Sequence, residues 1–208
     1  MALRKTLIDP SAPAPGSNWR RGLPELSDGV VTLREVRSGD AQSLADHLFR
    51  PAVLRFVAPC PDTAVGFRRF IRWARAERRR GTLACYGIVP RGHTHAIGVV
   101  QLWPIERDFS TAEWGFVLGE DFWGKGIFGR AARLAVDAAF SQFGVYRLEA
   151  RAVDANARGN HALKALGATR EGALRGAFHD NGIVRAHVMW SILAPDWRAR
   201  RGRVRHAV

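Results

Sequence analysis

Hydrophobic and polar positions divide the first part of the chain into one strand and two helices. Residues 30–36 are rich in β-branched side chains and alternate in part with polar ones, which predicts a strand. Apolar residues then recur at helical spacing over 38–49, where Pro51 should end the helix, and over 62–80, where Gly81 should end it. The second helix is predicted to have four side chains on its apolar side, namely Val65, Phe70, Ile71 and Trp73.

Strand patterns dominate the second part of the chain, interrupted by two helices. The predicted elements are, in order, strands over 83–89, 96–103 and 111–118, a helix over 127–143, a strand over 146–153, a helix over 156–166, and strands over 170–180 and 183–193. Asn181-Gly182 is typical of a two-residue hairpin turn. The strand–helix–strand order in the middle predicts one parallel pair with a right-handed crossover. The predicted fold class is therefore α/β of the α+β kind, a mixed and mostly antiparallel sheet flanked by helices.

Length and composition indicate one globular domain with short extensions. The chain has 208 residues, of which 47% are hydrophobic and 25% charged, which excludes a disordered or fibrous protein. The predicted division is a flexible extension over 1–27, a folded domain over 28–195 and a basic tail over 196–208. No stretch approaches the roughly 20 apolar residues of a membrane helix, and the first residues lack the apolar run of a signal peptide. A cytoplasmic protein without membrane contact is expected.

The chain is strongly basic, with 32 basic and 19 acidic residues and a net charge of +13. Such a charge attracts anions, whether nucleic acid, acidic proteins or phosphorylated cofactors. Arginines concentrate in the segment 197–208 and in a run over 78–80. We expect either a ribosome or RNA contact through the arginine-rich tail, or a solvated tail and helix end without a partner.

Cysteines and histidines give little sign of a metal site. Cys60 and Cys85 belong to no CxxC pair, and each is expected to be a buried thiol. His93 and His95 form an HxH pattern, but no third ligand is evident beside them. No metal is therefore predicted.

The segment 119–126, with the sequence GEDFWGKG, lies between a predicted strand and a predicted helix. It nearly matches the Walker A pattern, yet Gly126 stands where that pattern requires a hydroxyl for Mg²⁺. Glu120 and Asp121 would also repel a phosphate held in this loop. Nucleotide hydrolysis is therefore disfavoured.

Glycines at the start of the helix favour a phosphate site of another kind. Gly124, Gly126 and Gly129 allow the backbone to approach a ligand and to turn several N–H groups towards one anion. The helix N-terminus adds roughly half a positive charge, and Lys125 and Arg130 add full charges. A pyrophosphate bound here would need no metal. The other interpretation is a tight turn between strand and helix that binds nothing.

These patterns resemble a known family. The strand 113–118, then Trp123-Gly124-Lys125-Gly126 and an alanine-rich helix, resemble the acetyl-CoA-binding core of the GNAT N-acyltransferase superfamily. The strand 147–153, then Asn156 and a helix ending at Leu166-Gly167, resembles the branch that acetylates the N-termini of ribosomal proteins. The resemblance covers the predicted domain and implies the GNAT fold, in which the parallel strands splay apart.

The resemblance implies an acetyl-CoA-dependent transfer of the acetyl group to a primary amine by direct attack. It implies that CoA is bound by the loop and the preceding strand. The pyrophosphate contacts are Trp123, Gly124, Lys125, Gly126, Ile127, Phe128, Gly129 and Arg130, and the pantetheine contacts are the backbone of Phe116, Val117 and Leu118. Asn156 is implied to contact CoA as well. The implied acceptor is a protein N-terminus; the alternative is a small amine such as an amino acid, a polyamine or a drug.

Four positions depart from the usual pattern of the family. Trp123 replaces a Gln or Arg, which the ribosomal-protein branch tolerates. Phe128 replaces a small residue, and either re-aims the loop, enters the acceptor pocket or packs on the helix. Gly159 replaces a common Ser, and Leu163 stands where some members have a Tyr general acid, so such an acid is not supported. A basic RNA-binding protein with an impaired GNAT fold stays open as an alternative.

A base must take the proton from the acceptor ammonium, directly or through water. Glu113 is the predicted catalytic base, because it precedes the cofactor-binding strand at a position where the family commonly has a carboxylate. The alternative is an exposed carboxylate paired with an Arg. Other candidates are Glu149, which is expected to pair with an Arg across the sheet, and Asp154 and His179.

The acceptor pocket is predicted between the helical segment 38–80 and the final hairpin. Four aromatic residues are candidates for shaping it, although core packing is expected for most of them: Phe56, Trp103, Phe109 and Phe178. The sequence leaves both a monomer and a homodimer open.

Overall fold

The computed structural model describes residues 19–57, 59–180 and 182–205, with side chains described to residue 201, and it forms an eight-stranded sheet. The strands are β1 (Leu26–Ser27), β2 (Val31–Glu35), β3 (Ala84–Pro90), β4 (Gly98–Pro104), β5 (Thr111–Leu118), β6 (Arg147–Val153), β7 (Thr169–Asp180) and β8 (Ile183–Leu193). The helices are α1 (Ala41–Leu48), α2 (Pro51–Leu54), α3 (Ala64–Arg80), α4 (Ile127–Ser141), α5 (Ala157–Leu166) and α6 (Ala194–Arg205). The strand order is β1-β2-β3-β4-β5-β6-β8-β7.

The predicted mixed sheet is confirmed. Within the described strands, β5 and β6 pair in parallel, and every other neighbouring pair is antiparallel. Asp180 pairs with Ile183, which confirms the predicted hairpin, although Asn181 lies outside the described residues. Helix α4 ends at Ser141 rather than at Phe143, whose side chain is buried in the core beyond the helix end.

Helices cover both faces of the sheet. Helix α4 packs on one face, where Ala131, Ala135 and Ala139 are fully buried and their small side chains let the helix approach the strands closely. Helices α1 and α3 pack on the other face, mainly over β3 and β4. The remainder of that second face, over β6 and β8, has polar side chains, and the candidate site lies beside it.

Helix boundaries agree with the local signals in the sequence. The Thr63 hydroxyl accepts the backbone N–H of Gly66 at 3.1 Å and so caps the start of α3. The helix ends at Gly81, whose φ of 81° is left-handed and is easily adopted by glycine. Both ends of α3 were therefore predictable from single residues.

The predicted apolar side of α3 is wrong at two of its four positions. Val65 and Trp73 are about half exposed, while the side that faces the sheet is formed by Phe67, Ile71 and Ala74. Those three residues follow the i, i+4, i+7 spacing of one helix face, from which Val65 and Trp73 are displaced. The exposed Trp73 therefore needs another explanation than core packing.

The N-terminal segment corrects the predicted extension over its described part. Trp19 is buried, with its ring 5.5 Å from the ring of Phe109 and 5.3 Å from that of Phe143. The strand β1 pairs with β2. Residues 19–27 therefore belong to the packed structure, whereas residues 1–18 lie outside the described part of the chain.

Arg78 connects this N-terminal segment to α3. Its side chain is 5% exposed, and its Nε donates to a carboxylate oxygen of Glu35 at 2.6 Å. Its Nη1 donates to the backbone carbonyls of Trp19 and Arg20. The expectation of a solvated helix end is therefore wrong for Arg78, since a buried guanidinium with these partners is a structural tie.

The basic C-terminal segment is also part of the fold. It forms α6, in which Trp197 is buried and its indole N–H donates to Asp137 of α4 at 2.7 Å. Arg201 forms an ion pair with the same carboxylate. The expectation of a loose tail is thus wrong as far as residue 201, because the Asp137 carboxylate on α4 binds both Trp197 and Arg201.

The two thiols differ in burial. Cys85 is buried, as predicted, whereas Cys60 is only half-buried. Burial raises the pKa of the Cys60 thiol to about 11 and raises that of Cys85 as well.

Within the residues that the structure describes, no group of His, Cys, Asp and Glu side chains is arranged to hold a metal ion. No helix in that part of the chain has both the length and the apolar character to cross a membrane.

Candidate active site

The strands β5 and β6 pair over only the first part of their length. The paired residues are Thr111 with Arg147, Ala112 with Leu148, and Glu113 with Glu149. Strand β5 continues to Leu118 against β4, while no described residue of β6 pairs with it beyond Glu113. The edge of β5 that faces β6 therefore has no strand partner at Phe116 and Val117, and an extended ligand chain can bond to such an edge.

The loop after β5 depends on two glycines. Gly124 and Gly126 have φ values of 72° and 73°, in the left-handed region that costs other residues free energy. A Cβ atom added at either position would meet nothing within 4 Å. Glycine is therefore required here for the backbone conformation, and the space beside both residues is open to a ligand.

Residues Gly124–Gly129, which we call the amide loop, have free backbone donors. No described backbone or side-chain acceptor is bonded to any N–H from residue 124 to residue 129; the next N–H, that of Arg130, donates to Gly126. Six successive backbone donors thus lie unbonded at the start of a fifteen-residue helix. The helix dipole adds roughly half a positive charge at that end. This combination is suited to a pyrophosphate.

The charged residues of the loop differ in availability. The exposed Lys125 has its ammonium 5.7 Å from the ring centre of Phe122 and is available to an anion. Arg130 instead forms an ion pair with Asp28 at 2.9 Å, so its charge is partly neutralised within the protein. The Ile127 side chain is buried in the core, and only its backbone N–H is available to a ligand.

Phe128 packs within the domain. Its ring centre lies 4.3 Å from that of Phe116 on β5. Both rings are partly buried against the core that α4 covers. The packing interpretation of this bulky residue is therefore confirmed: Phe128 joins the first turn of α4 to the unpaired part of β5.

Asn156 caps α5. Its side-chain oxygen accepts the N–H of Gly159 at 2.9 Å. A Cβ atom added at Gly159 would lie 2.7 Å from the Asn156 side-chain nitrogen. The absence of the usual serine at Gly159 thus has a local reason: a side chain there would displace the Asn156 amide from its capping position.

Trp123 lies between the amide loop and α5. Its indole N–H donates to the Leu118 carbonyl at 2.8 Å, and the Arg158 guanidinium stacks over its ring at 3.6 Å from the centre. This contact joins the two sides of the cleft between β5 and β6. Sequence reasoning missed Arg158, because nothing in its surroundings in the chain points to a stacking partner 35 residues earlier.

Polar side chains line the sheet face beside the cleft. Alternate residues of β6 and β8, such as Leu148 and Trp190, are buried against α4 and α5, so the residues between them face the other way. We call the resulting surface the open face; it comprises Glu113 of β5, Arg147, Glu149 and Arg151 of β6, and His187, Met189 and Ser191 of β8.

Glu113 lies at the point where β5 and β6 diverge. Its side chain is 17% exposed, and the Arg151 Nε lies 3.5 Å from its carboxylate. Burial raises the pKa of Glu113 above its ordinary value; Arg151 opposes this change, the neighbouring Glu149 reinforces it, and Trp103 opposes it weakly. The alternative interpretation was an exposed carboxylate paired with an Arg. Glu113 does have an Arg partner, but the exposure is wrong, since the carboxylate is mostly buried.

The other candidate bases have local partners. Glu149 accepts from Arg147 at 2.8 Å, which confirms an Arg partner, although it stands two residues along the same strand and not across the sheet. Asp154 accepts the N–H of Ala155, and the exposed His179 ring lies 2.6 Å from the Gly176 carbonyl. These contacts favour structural roles for all three.

The aromatic residues predicted to shape an acceptor pocket separate into two groups. Trp103 pairs with Glu113 across β4 and β5, and the ring centre of Phe178 lies 5.8 Å from that of His187 on the open face, with the two rings tilted. Phe109 is buried against Trp19 and Phe143, so it has the core-packing role expected for most of the four and does not shape a pocket. Phe56 has the Arg55 guanidinium over its ring.

The open face also has a histidine, His187, that sequence reasoning missed. Burial lowers the pKa of His187, and the nearby Arg151 lowers it further.

The fold, the diverging strands and the amide loop define an acyltransferase of the GNAT class. The family model of the acetyltransferase (GNAT) domain matches residues 31–169, and the chain belongs to this family. The family assignment agrees with the resemblance found in the sequence and with the mixed sheet.

The relatives match the chain over different lengths. The uncharacterized N-acetyltransferase p20 of Bacillus licheniformis is 26% identical over 80% of this chain and 94% of its own length. The ribosomal protein uS5-alanine N-acetyltransferase of Escherichia coli is 24% identical over 86% and 96% respectively. The spermidine N(1)-acetyltransferase of Escherichia coli is 30% identical, but over only 49% and 55%. The solved structure of Mycobacterium smegmatis RimJ in complex with CoA-disulfide has a TM-score of 0.72 at 22% identity, covering 83% of this chain and 87% of that one.

Proposed function

We propose that the protein is an acetyl-CoA-dependent N-acetyltransferase whose acceptor is the N-terminus of a peptide or protein. The observation on which the proposal depends is the placement of six free amides at one end of a cleft that begins at the mostly buried Glu113. An anion site and a candidate base thus flank one edge of an unpaired strand.

The chain fits a CoA molecule by its own geometry. The amide loop would hold the pyrophosphate, with Lys125 beside it. The free edge of β5 at Phe116 and Val117 would bond to the amide groups of the pantetheine arm. The Leu118 carbonyl already accepts the Trp123 indole N–H, so a pantetheine N–H that bonded there would share this oxygen with Trp123. Asn156 keeps its side-chain NH₂ free for a ligand while its oxygen caps α5.

The reaction needs a neutral amine next to the thioester. When bound, acetyl-CoA supplies the acetyl group as a thioester and takes the electron pair of the broken C–S bond as a thiolate. Glu113 removes a proton from the acceptor ammonium, and its raised pKa brings the carboxylate closer to the pH at which a base is effective. Leu163 is buried and apolar, so it cannot protonate the leaving thiolate as a tyrosine there would.

A peptide acceptor is supported by the extent of the family match. The relative that acts on a ribosomal protein aligns with 86% of the chain, whereas the one that acts on spermidine aligns with 49%. The open face also offers a donor to a peptide backbone, the exposed guanidinium of Arg151. A small amine has no carbonyl groups for this donor.

A panel of acceptors tests this proposal. Release of the CoA thiol would be followed with peptides that begin with Ala or Ser, and with spermidine and free amino acids. We expect turnover of the peptides at a kcat/KM at least about tenfold above that of the small amines. Turnover of small amines alone would overturn the peptide proposal, and no turnover with any amine would overturn the acetyltransferase proposal.

We also propose a contact with RNA through α6, because Arg198 and Arg200 are exposed there although the helix is anchored by Trp197. Such a contact depends on counterion release and weakens as salt increases. Fluorescence anisotropy with a labelled structured RNA should show binding at low salt that Arg198→Glu weakens. An RNA affinity that does not depend on salt or on Arg198 would contradict this contact.

A further inference from the structure

A groove between α3 and the end of β4 lies next to Glu113. It has a volume of about 320 Å³ and is lined by Trp73, Glu77, Thr82, Leu83, Gln101 and Trp103. This volume is at the lower end of the range for small-ligand pockets, about 300–1,000 Å³. The groove accounts for the exposed Trp73, which does not contribute to the core of α3.

Trp103 belongs both to this groove and to the surroundings of Glu113. The two residues are partners across β4 and β5. A Cβ atom added at Gly115 would lie 3.1 Å from the far end of the Trp103 ring, so the indole lies across β5 at that glycine. The glycine in the middle of the strand is therefore needed for the close approach of this ring. The groove thus borders the site of the proposed base through the Trp103 side chain.

The charged group in the groove, the Glu77 carboxylate, is paired within the protein itself. The Glu77 carboxylate accepts from the Thr82 hydroxyl at 2.6 Å and forms an ion pair with Arg80. Its charge is therefore already compensated, and a cationic ligand gains little from it. What the groove offers to a ligand is mainly apolar surface, formed by the indoles of Trp73 and Trp103.

We propose that this groove is an acceptor subsite, which binds an apolar or aromatic side chain close to the reacting amine. This inference depends on the proposed function, because the groove is joined to Glu113 through Trp103. In a peptide acceptor, the side chain bound in this groove would be that of the second or third residue. Two indole walls favour a flat aromatic ring or a branched aliphatic chain over a small or charged group.

Peptides that differ at one position test the subsite. We would measure kcat/KM for Ala-initiated peptides with Gly, Asp, Leu or Phe at the second or the third residue. Phe or Leu should exceed Gly by about tenfold at one of the two positions, since burial of such a side chain is worth that much in an apolar pocket. In Trp73→Ala this advantage over the Gly peptide should fall to within about twofold.

Val65→Ala is the matched control, because Val65 is equally exposed on the same helix but lies outside the groove. It should keep the full preference. Equal kcat/KM for all peptides, or an advantage of Phe that survives in Trp73→Ala, would overturn the subsite.

Binding of a blocked probe separates the two proposals. N-acetyl-phenylalaninamide has no free amine, and its saturation-transfer NMR signal reports binding without turnover. We expect a signal with the native protein and with Val65→Ala that is lost in Trp73→Ala. No binding by the native protein would overturn the subsite whether or not any peptide is acetylated. Binding that depends on Trp73, with no acetylation of any amine, would overturn the proposed function instead.

Discussion

The amide loop and the open face lie at the two ends of one cleft, and they are built in opposite ways. The amide loop uses the backbone of six successive residues, and its two apolar side chains, Ile127 and Phe128, pack within the domain, while Lys125 is exposed. The open face uses side chains from three strands that are far apart in sequence. A backbone site depends on conformation and tolerates many side chains, whereas the open face depends on the identity of each residue.

The largest effect is expected at Glu113, in the part of the molecule that depends on side chains. Glu113→Gln keeps the size of the side chain but removes the proton acceptor, so kcat should fall at least about a hundredfold. In the native protein, kcat/KM should rise with pH through the raised pKa of Glu113, and this dependence should be lost in the variant. Steady-state kinetics between pH 5 and pH 9 would check both, with the exposed Glu106→Gln as control. An unchanged rate would refute the assignment of the base.

The same substitution separates catalysis from stability. Because the pKa of Glu113 is raised above 4.5 in the folded state, its proton is bound more tightly there than in the unfolded chain. The associated stabilisation is present below about pH 4.5 and is lost as the pH rises through the folded-state pKa. At pH 8 Glu113→Gln should therefore unfold at the same or a higher temperature than the native protein. A lower midpoint in a thermal scan would show that Glu113 stabilises the fold.

The next effect is expected in the amide loop. Gly126→Ala forces a side chain into a left-handed conformation, which costs about 1–2 kcal/mol of stability and misdirects the neighbouring donors. The loss of one hydrogen bond to a charged group should weaken acetyl-CoA binding by about tenfold. Titration calorimetry would measure the affinity.

Gly92→Ala is the matched control for the loop, since Gly92 has a φ of 84°, equally open surroundings and a place in the turn after β3. It should lose a similar amount of stability and keep the native affinity for acetyl-CoA. Equal losses of affinity in both variants would mean that the loop acts only through stability.

A smaller effect is expected where the two regions meet. Arg158→Gln removes the cation above the Trp123 ring, a contact worth about 0.5–1 kcal/mol at a partly exposed position. The dissociation constant for acetyl-CoA should rise about threefold, because the far side of the cleft is less firmly held. The exposed Arg170→Gln serves as control for the change in net charge. Equal dissociation constants for both variants would exclude a role of the stack in cofactor binding.

The smallest effect is expected beside the open face, at Glu171. Arg147, and then Ser191, lowers the pKa of Glu171 to about 2. A lowered pKa stabilises the fold above about pH 4.5, and this contribution is lost as the pH falls towards 2. Since the carboxylate is 36% exposed, solvent should limit the contribution to less than about 1 kcal/mol. Denaturant unfolding of Glu171→Gln at pH 7 and pH 3 should show a larger deficit at pH 7 than at pH 3, because part of the contribution is already lost at pH 3; a deficit of equal size at both values would contradict the ion-pair account.

The sequence predicted the local features of the molecule well. Helix ends at Thr63 and Gly81 follow from residues within one turn, and the glycines of the amide loop mark a backbone conformation that few other residues adopt. The parallel pair of strands followed from the strand–helix–strand order along the chain. Each of these features depends on neighbours in the chain.

Features that depend on strand register or on distant contacts were missed. The stack of Arg158 on Trp123 and the proximity of Arg151 to Glu113 join elements that meet only when the sheet is assembled. The burial of Trp19, which ties the N-terminal segment to the core, is a contact of the same kind. Periodicity within one element contains no information about such partners.

Thermal unfolding with and without acetyl-CoA, at low and high salt, tests the central claim most directly. Ligand at about 100 times its dissociation constant adds roughly 2.7 kcal/mol of stability. For a chain of this size that corresponds to a midpoint rise of about 5–10 °C. We predict a saturable rise that persists at high salt, is much smaller with ATP, and is reduced in Gly126→Ala but not in Gly92→Ala. No rise with acetyl-CoA, or an equal rise with ATP, would contradict the assignment of the amide loop as the CoA pyrophosphate site.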